Sequence, residues 1–180
     1  MSSVVSPETV ERLCGNCGMC CSGVLFIDVK MQDAQESLTL LKQGVELEQH
    51  EDVHYLVQPC SCLGEGNHCH IYPQRPKLCA AFECSLLSEL KTGQRDESEC
   101  NEIIEATREK VHALNDILMK LGNKETDVPL FLRTEETLSQ PWDLSASDAI
   151  NELRNQLFKH AAELTASIDQ QFLGTRQTTE

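Results

Sequence analysis

The chain is poor in aromatic side chains, which make up 4% of it: one Trp, two Tyr and five Phe. No window approaches the roughly 18 apolar residues that would read as a membrane span. Basic residues are outnumbered, 15 Lys and Arg standing against 29 Asp and Glu for a formal net charge of −14. That balance excludes nucleic acid as an expected partner, because phosphate contacts need clustered cations. It disfavours anionic membrane surfaces for the same reason. There is no Gly-rich phosphate loop, no nucleophile elbow, no dinucleotide fingerprint and no internal repeat. Residues 1 to 13 (MSSVVSPETVERL) carry neither a basic n-region nor an apolar h-region, which predicts a cytoplasmic protein. In that compartment thiols are kept reduced.

Cysteine is the residue the chain has in excess. All ten cysteines fall between positions 14 and 100. Cys14, Cys17, Cys20 and Cys21 form a C-x2-C-x2-C-C run, with Gly15 and Gly18 between them. A C-x2-C step lets two sulfurs turn toward one point, and glycine admits the positive φ angles such a knuckle uses. A second block follows as Cys60, Cys62, Cys69, Cys79 and Cys84, in a stretch punctuated by Gly64, Gly66, Pro73 and Pro76. In a reduced setting these read as thiolate metal ligands rather than disulfides. Neither standard spacing fits. A bacterial ferredoxin run places three residues between its third and fourth cysteines, and a zinc ribbon needs a second C-x2-C pair. Adjacent side chains diverge, so Cys20 and Cys21 are expected to serve two ions or to bridge them. Eight thiolates would complete two tetrahedral divalent ions.

The cysteine quartet, the Pro59-Cys60 pair and the segment Cys69-His70-Ile71-Tyr72-Pro73-Gln74-Arg75-Pro76-Lys77-Leu78-Cys79-Ala80-Ala81-Phe82-Glu83-Cys84 resemble the bacterial zinc- or iron-chelating CxxCxxCC domain family. The resemblance covers roughly residues 14 to 84. It implies Cys14, Cys17, Cys20, Cys21, Cys60, Cys69, Cys79 and Cys84 as ligands of zinc or iron. Two positions depart from the family pattern: Ala80 stands where arginine is usual, and Cys62 where an apolar residue is usual. Cys60 and Cys62 therefore compete for one ligand role. Arg75 and Lys77 can offset the charge of clustered thiolates, or Arg75 can pair with a surface carboxylate. Cys20-Cys21-Ser22-Gly23 with Val29-Lys30 also resembles, over a short stretch, the cysteine region of flagellin lysine N-methylases.

The expected fold class is α+β. Residues 1–95 read as a small irregular cysteine-rich metal-binding domain with one or two short strands. Residues 96–175 read as a pair of long antiparallel helices packed on it, and 176–180 as a disordered tail. Ser6-Pro7 opens a short helix leading into Cys14. Val24–Val29 and Val53–Val57 read as strands. Residues 32–43 read as a helix with Ala34, Leu38 and Leu41 inward, and a further helix runs from about Cys84 to Lys91. Residues 101–121 form the first long helix, and a loop with Pro129 and Pro141 follows. Ser145-Ala146-Ser147-Asp148 caps the second, which reaches about Phe172 with Ile150, Leu153, Leu157, Ala161, Leu164 and Ile168 inward.

His50-Glu51-Asp52-Val53-His54 matches the zinc-protease signature H-E-x-x-H, but it lies beside an expected strand and no sustained helix surrounds it. His68 and His70 flank Cys69 and read as loop residues. Cys100 reads as a buried thiol outside both blocks. No catalytic residue is assigned. The pattern points to a metal-binding module whose later helices could receive a protein partner. The alternative is an iron–sulfur protein acting as a redox or methyltransferase-like enzyme, and a disulfide-based redox switch is the third reading.

Overall fold

The computed structural model describes residues 5–141 and 147–174. Helix α1 (Pro7–Cys17) opens as its sequence predicts: the Ser6 side chain accepts from the Thr9 N–H, and Pro7 takes the first turn, where its missing N–H costs nothing. The helix continues through Cys14 to Cys17 and stops at Gly18, whose φ of 72° lies in the left-handed region. A side chain there would also collide with Asn67, at 2.6 Å. Gly15 serves a different purpose from the one expected. It is helical, and the Tyr72 ring lies over it, 3.4 Å from where a Cβ would stand.

Three antiparallel strands follow: β1 (Asp28–Lys30), β2 (Glu48–His50) and β3 (Val53–Val57), in the order β1-β3-β2. The expected strand over Val24–Val29 shrinks to β1. Its apolar start is used otherwise, since Leu25 and Phe26 line a cavity and Phe26 packs edge-on against Phe82 with ring centroids 4.9 Å apart. Those residues face the centre of the molecule instead of pairing as a ladder. The β2–β3 hairpin carries His50 and His54 on separate strands, with Glu51 at φ 55° in the turn. Its geometry removes the helix face that H-E-x-x-H would need.

Helix α2 (Ala34–Lys42) is present, but Ala34, Leu38 and Leu41 face outward, Leu38 being 51% exposed. The buried side is Glu36, Ser37 and Leu40. The cause is Glu36: its carboxylate accepts from the Gln32 N–H and the Lys77 N–H, each at 2.6 Å, and this fixes the helix by polar contacts. Helix α3 (Lys77–Ala81) carries Cys79, and α4 (Ser85–Thr92) starts from Cys84 and ends on Gly93.

Helix α5 (Glu97–Lys120) is closed at its start by a capping box between Asp96 and Glu99. The expected loop around Pro129 holds a further helix, α6 (Leu130–Ser139), which begins directly after that proline. Proline cannot continue a helix but can start one, so the same residue that suggested a loop marks an N-terminus. Helix α7 (Asp148–Ile168) is capped by Ser147 and runs into a π-helical turn, Asp169–Leu173. Along α7 Leu157 and Leu164 are buried, while Ile150 is exposed. Ser145, Ala146 and the tail 176–180 lie outside the described residues.

Three apolar clusters hold these elements. One joins Leu13 and Met19 to Leu86, Leu87, Leu90, Cys100, Ile104 and Phe172, so α1 and the turn that follows α7 share a core. A second lies under the sheet, from Met31, Leu40, Val45, Leu56, Cys60 and Cys62. The third lies among α5, α6 and α7, from Leu114, Ile117, Leu118, Leu130, Leu157 and Leu164. No helix among the described residues is long and apolar enough to cross a membrane.

Candidate metal centre

Between the first two clusters lies a cavity of about 420 Å³. Its wall contains Cys14, Cys17, Cys20, Cys21, Cys60, Cys69, Cys79 and Cys84, drawn from both cysteine blocks. Cys14 and Cys17 come from the last turns of α1, and Cys20 and Cys21 from the turn after it. Cys60 follows β3, Cys79 rides on α3, and Cys84 caps α4. The Cys60 N–H donates to the Cys21 carbonyl at 2.7 Å and the Cys69 N–H to the Gly15 carbonyl at 3.1 Å. These backbone bonds bind the second block to the first.

Cys62 is absent from the wall. It is buried in the cluster under the sheet, and its N–H donates to the Cys60 sulfur at 3.4 Å. Cys100 is also absent, fully buried with its thiol against the Leu86 carbonyl. His68 and His70 are exposed and are not part of the cavity wall, His68 standing 2.9 Å from the Asn16 side-chain oxygen.

Backbone N–H groups are directed at two of the sulfurs: Cys60 accepts from Cys62 and Cys84 from Leu87, each at 3.4 Å. A thiol is a weak acceptor, whereas a thiolate accepts such bonds well, so these donors favour the charged form. Burial acts the other way. It pushes Cys17 and Cys60 up to about 12 and Cys79 to about 11. Cys20 is raised by burial and by the neighbouring thiols Cys17, Cys14, Cys84 and Cys79. The neighbouring Cys69 and burial both raise Cys21, while the same pairing holds Cys69 down. Crowded thiols that resist ionisation in a low-dielectric wall need a cation to release their protons.

Fixed cations stand nearby. Arg75 packs over the Tyr72 ring at 3.8 Å, donates to the Tyr72 carbonyl at 2.8 Å and favours the charged forms of Cys69 and Cys79. It stands with the cysteines, whereas Lys77 pairs with Asp33 at 2.5 Å on the surface. Arg108, on α5, donates to the carbonyls of Asn16 and Cys17, the latter at 3.1 Å, and favours the Cys17 thiolate. Burial raises the Tyr72 hydroxyl, as does the neighbouring Cys14 thiol. The N–H donors of Cys62 and Leu87 and the role of Arg108 were not legible from spacing.

The sulfurs line the cavity without meeting at one point. Among the described residues no three His, Cys, Asp or Glu side chains stand together as an ion-ready group. The donor set nevertheless fits a thiophilic ion: sulfur ligands, charge-stabilising N–H groups, and two arginines. Fold and wall thus describe a small α+β protein built round a cysteine-lined centre. The chain belongs to the CxxCxxCC family, described as a putative zinc- or iron-chelating domain, whose family model matches residues 13–109. The match extends beyond the resemblance read from the motifs, taking in α4 and the first half of α5 with Arg108. No curated protein and no solved structure matches the chain.

Proposed function

We propose that this protein binds zinc or iron in the cytoplasm through Cys14, Cys17, Cys20, Cys21, Cys60, Cys69, Cys79 and Cys84, as one or two ions. The observation that carries this reading is that all eight cysteines, from both blocks, line one cavity, with backbone N–H groups directed at Cys60 and Cys84, where they stabilise thiolate and do little for thiol. The first half of the chain supplies every proposed ligand, and the helices α5, α6 and α7 that pack on it can present a face to a protein partner. When bound, the ion cross-links the two cysteine blocks and draws their thiols into the charged form.

A second reading is favoured by the size of the cavity. About 420 Å³ with largely apolar walls is roomy for bare ions and suits an iron–sulfur cluster. One experiment separates the two: anaerobic purification, a visible spectrum, and quantification of metal and acid-labile sulfide. A colourless protein with stoichiometric zinc supports the first reading. A brown protein with absorption near ~400 nm, iron and sulfide replaces it with the second. Reduced, folded protein that takes up neither metal defeats both.

A further inference from the structure

The cavity wall holds one polar side chain whose hydrogen bonding is incomplete. Gln58 lines the cavity two residues before Cys60 and is 2% exposed. Its backbone is fixed, the N–H donating to the Ile27 carbonyl at 3.0 Å. Its side-chain amide nitrogen reaches the Leu56 carbonyl at 3.5 Å. The side-chain oxygen, Oε1, is buried with no hydrogen-bond partner. Exchanging the amide's two ends would set Oε1 against the Leu56 carbonyl, acceptor against acceptor. A buried carbonyl left unpaired costs about 1–3 kcal/mol. A chain that only needed to fill this wall would do better with leucine or methionine, as the cluster under the sheet does with Met31, Leu40 and Leu56.

We propose that Gln58 Oε1 is an oxygen donor to the metal centre, making the coordination set mixed sulfur and oxygen. The inference rests on the metal-binding reading and adds a ligand of a different chemical kind. Three features of Gln58 combine in it: membership of the cavity wall, a burial that excludes bulk water, and an acceptor without a donor. Zinc and iron both accept oxygen beside sulfur, at roughly 2.0–2.2 Å for zinc. An amide oxygen adds no charge, which suits a wall already crowded with thiolates.

The test is X-ray absorption at the metal edge on the full-length protein, loaded with zinc alone or with ferrous iron alone, and compared with Gln58→Leu and Gln58→Glu. The wild type is expected to show one light-atom scatterer beside sulfur. Gln58→Leu is expected to lose it, with metal affinity falling about tenfold or more. Gln58→Glu is expected to restore it, because an oxygen returns to the same place. An all-sulfur shell in the wild type overturns the proposal, whether or not the variants fold. So does a light-atom scatterer that survives in folded Gln58→Leu, which would assign it to solvent. Failure of the wild type to bind either metal is a different result and overturns the metal-binding reading itself.

Discussion

Cys60 and Cys62 differ by two positions in the chain and by their whole environment in the fold. Cys60 reaches the cavity wall, whereas Cys62 sits in the apolar cluster and gives its N–H to the Cys60 sulfur. Spacing alone left the two in competition, because it does not say which side chain the turn after Pro59 directs inward. Cys60→Ser should therefore lower bound metal, and Cys62→Ser should leave stoichiometry unchanged while costing about 1–2 kcal/mol for a hydroxyl in an apolar site. Elemental analysis and denaturant melts of the two variants read both effects. The opposite ranking of metal content would reverse the assignment.

Cys100 gives a second prediction at the same scale. Burial pushes its thiol up to about 11, against roughly 8.5 for an exposed cysteine. A group whose folded pKa is raised contributes stability that is complete below the unfolded value and is lost as pH rises through the folded one. Cys100→Ala should cost roughly 1–2 kcal/mol at neutral pH by opening a small cavity, with metal content unaltered. The gap between wild type and variant should narrow as pH rises from about 9 to about 11. Denaturation curves at stepped pH measure it, and a constant gap would show that the thiol does not titrate on unfolding.

At the scale of elements, what the sequence revealed depended on how local the cause was. The starts of α1 and α4, the strand Val53–Val57 and the long helix α5 follow from caps, glycine stops and periodicity, all contained within a few residues. The inward face of α2 did not, because Glu36 is held by the backbone of Lys77, a distant partner that hydrophobic periodicity cannot register. The strand over Val24–Val29 failed for a related reason: Leu25 and Phe26 are claimed by the cavity. Helix α5 shows the consequence for function. Its Arg108 reaches the carbonyls of Asn16 and Cys17 at the end of α1, where a helix leaves acceptors unsatisfied and carries partial negative charge. Arg108→Met keeps much of the length of the side chain and removes the donors. It should destabilise the protein by about 1–3 kcal/mol and weaken metal binding, whereas Glu105→Gln, which removes only an exposed ion-pair partner of Arg108, should do neither measurably. Equal metal affinity in wild type and Arg108→Met would reduce that arginine to a packing role.

For the whole molecule, the apolar clusters differ in how much they owe to cysteine. The cluster under the sheet includes Cys60 and Cys62, and the one beside α1 packs against Cys14, Cys17 and Cys84. The cluster among α5, α6 and α7 contains no cysteine and rests on leucine and isoleucine. If an ion ties the thiols together, its binding energy is folding energy for the segments that carry them, and much less so for that third cluster. Removing metal with a chelator under reducing conditions should therefore act unevenly. Amide hydrogen exchange should speed up in α1, in residues 18–21 and across 60–84. The protection of Leu114, Ile117 and Leu118 on α5, and of Leu157 and Leu164 on α7, should persist. Phe172 and Ile104 belong to the cluster beside α1, so the turn Asp169–Leu173 and the start of α5 should respond with the cysteines rather than with the rest of α7 and α5. A uniform rise in exchange would mean that the molecule unfolds as one unit. No change on removal of bound metal would mean that the cysteine blocks are held by apolar packing alone.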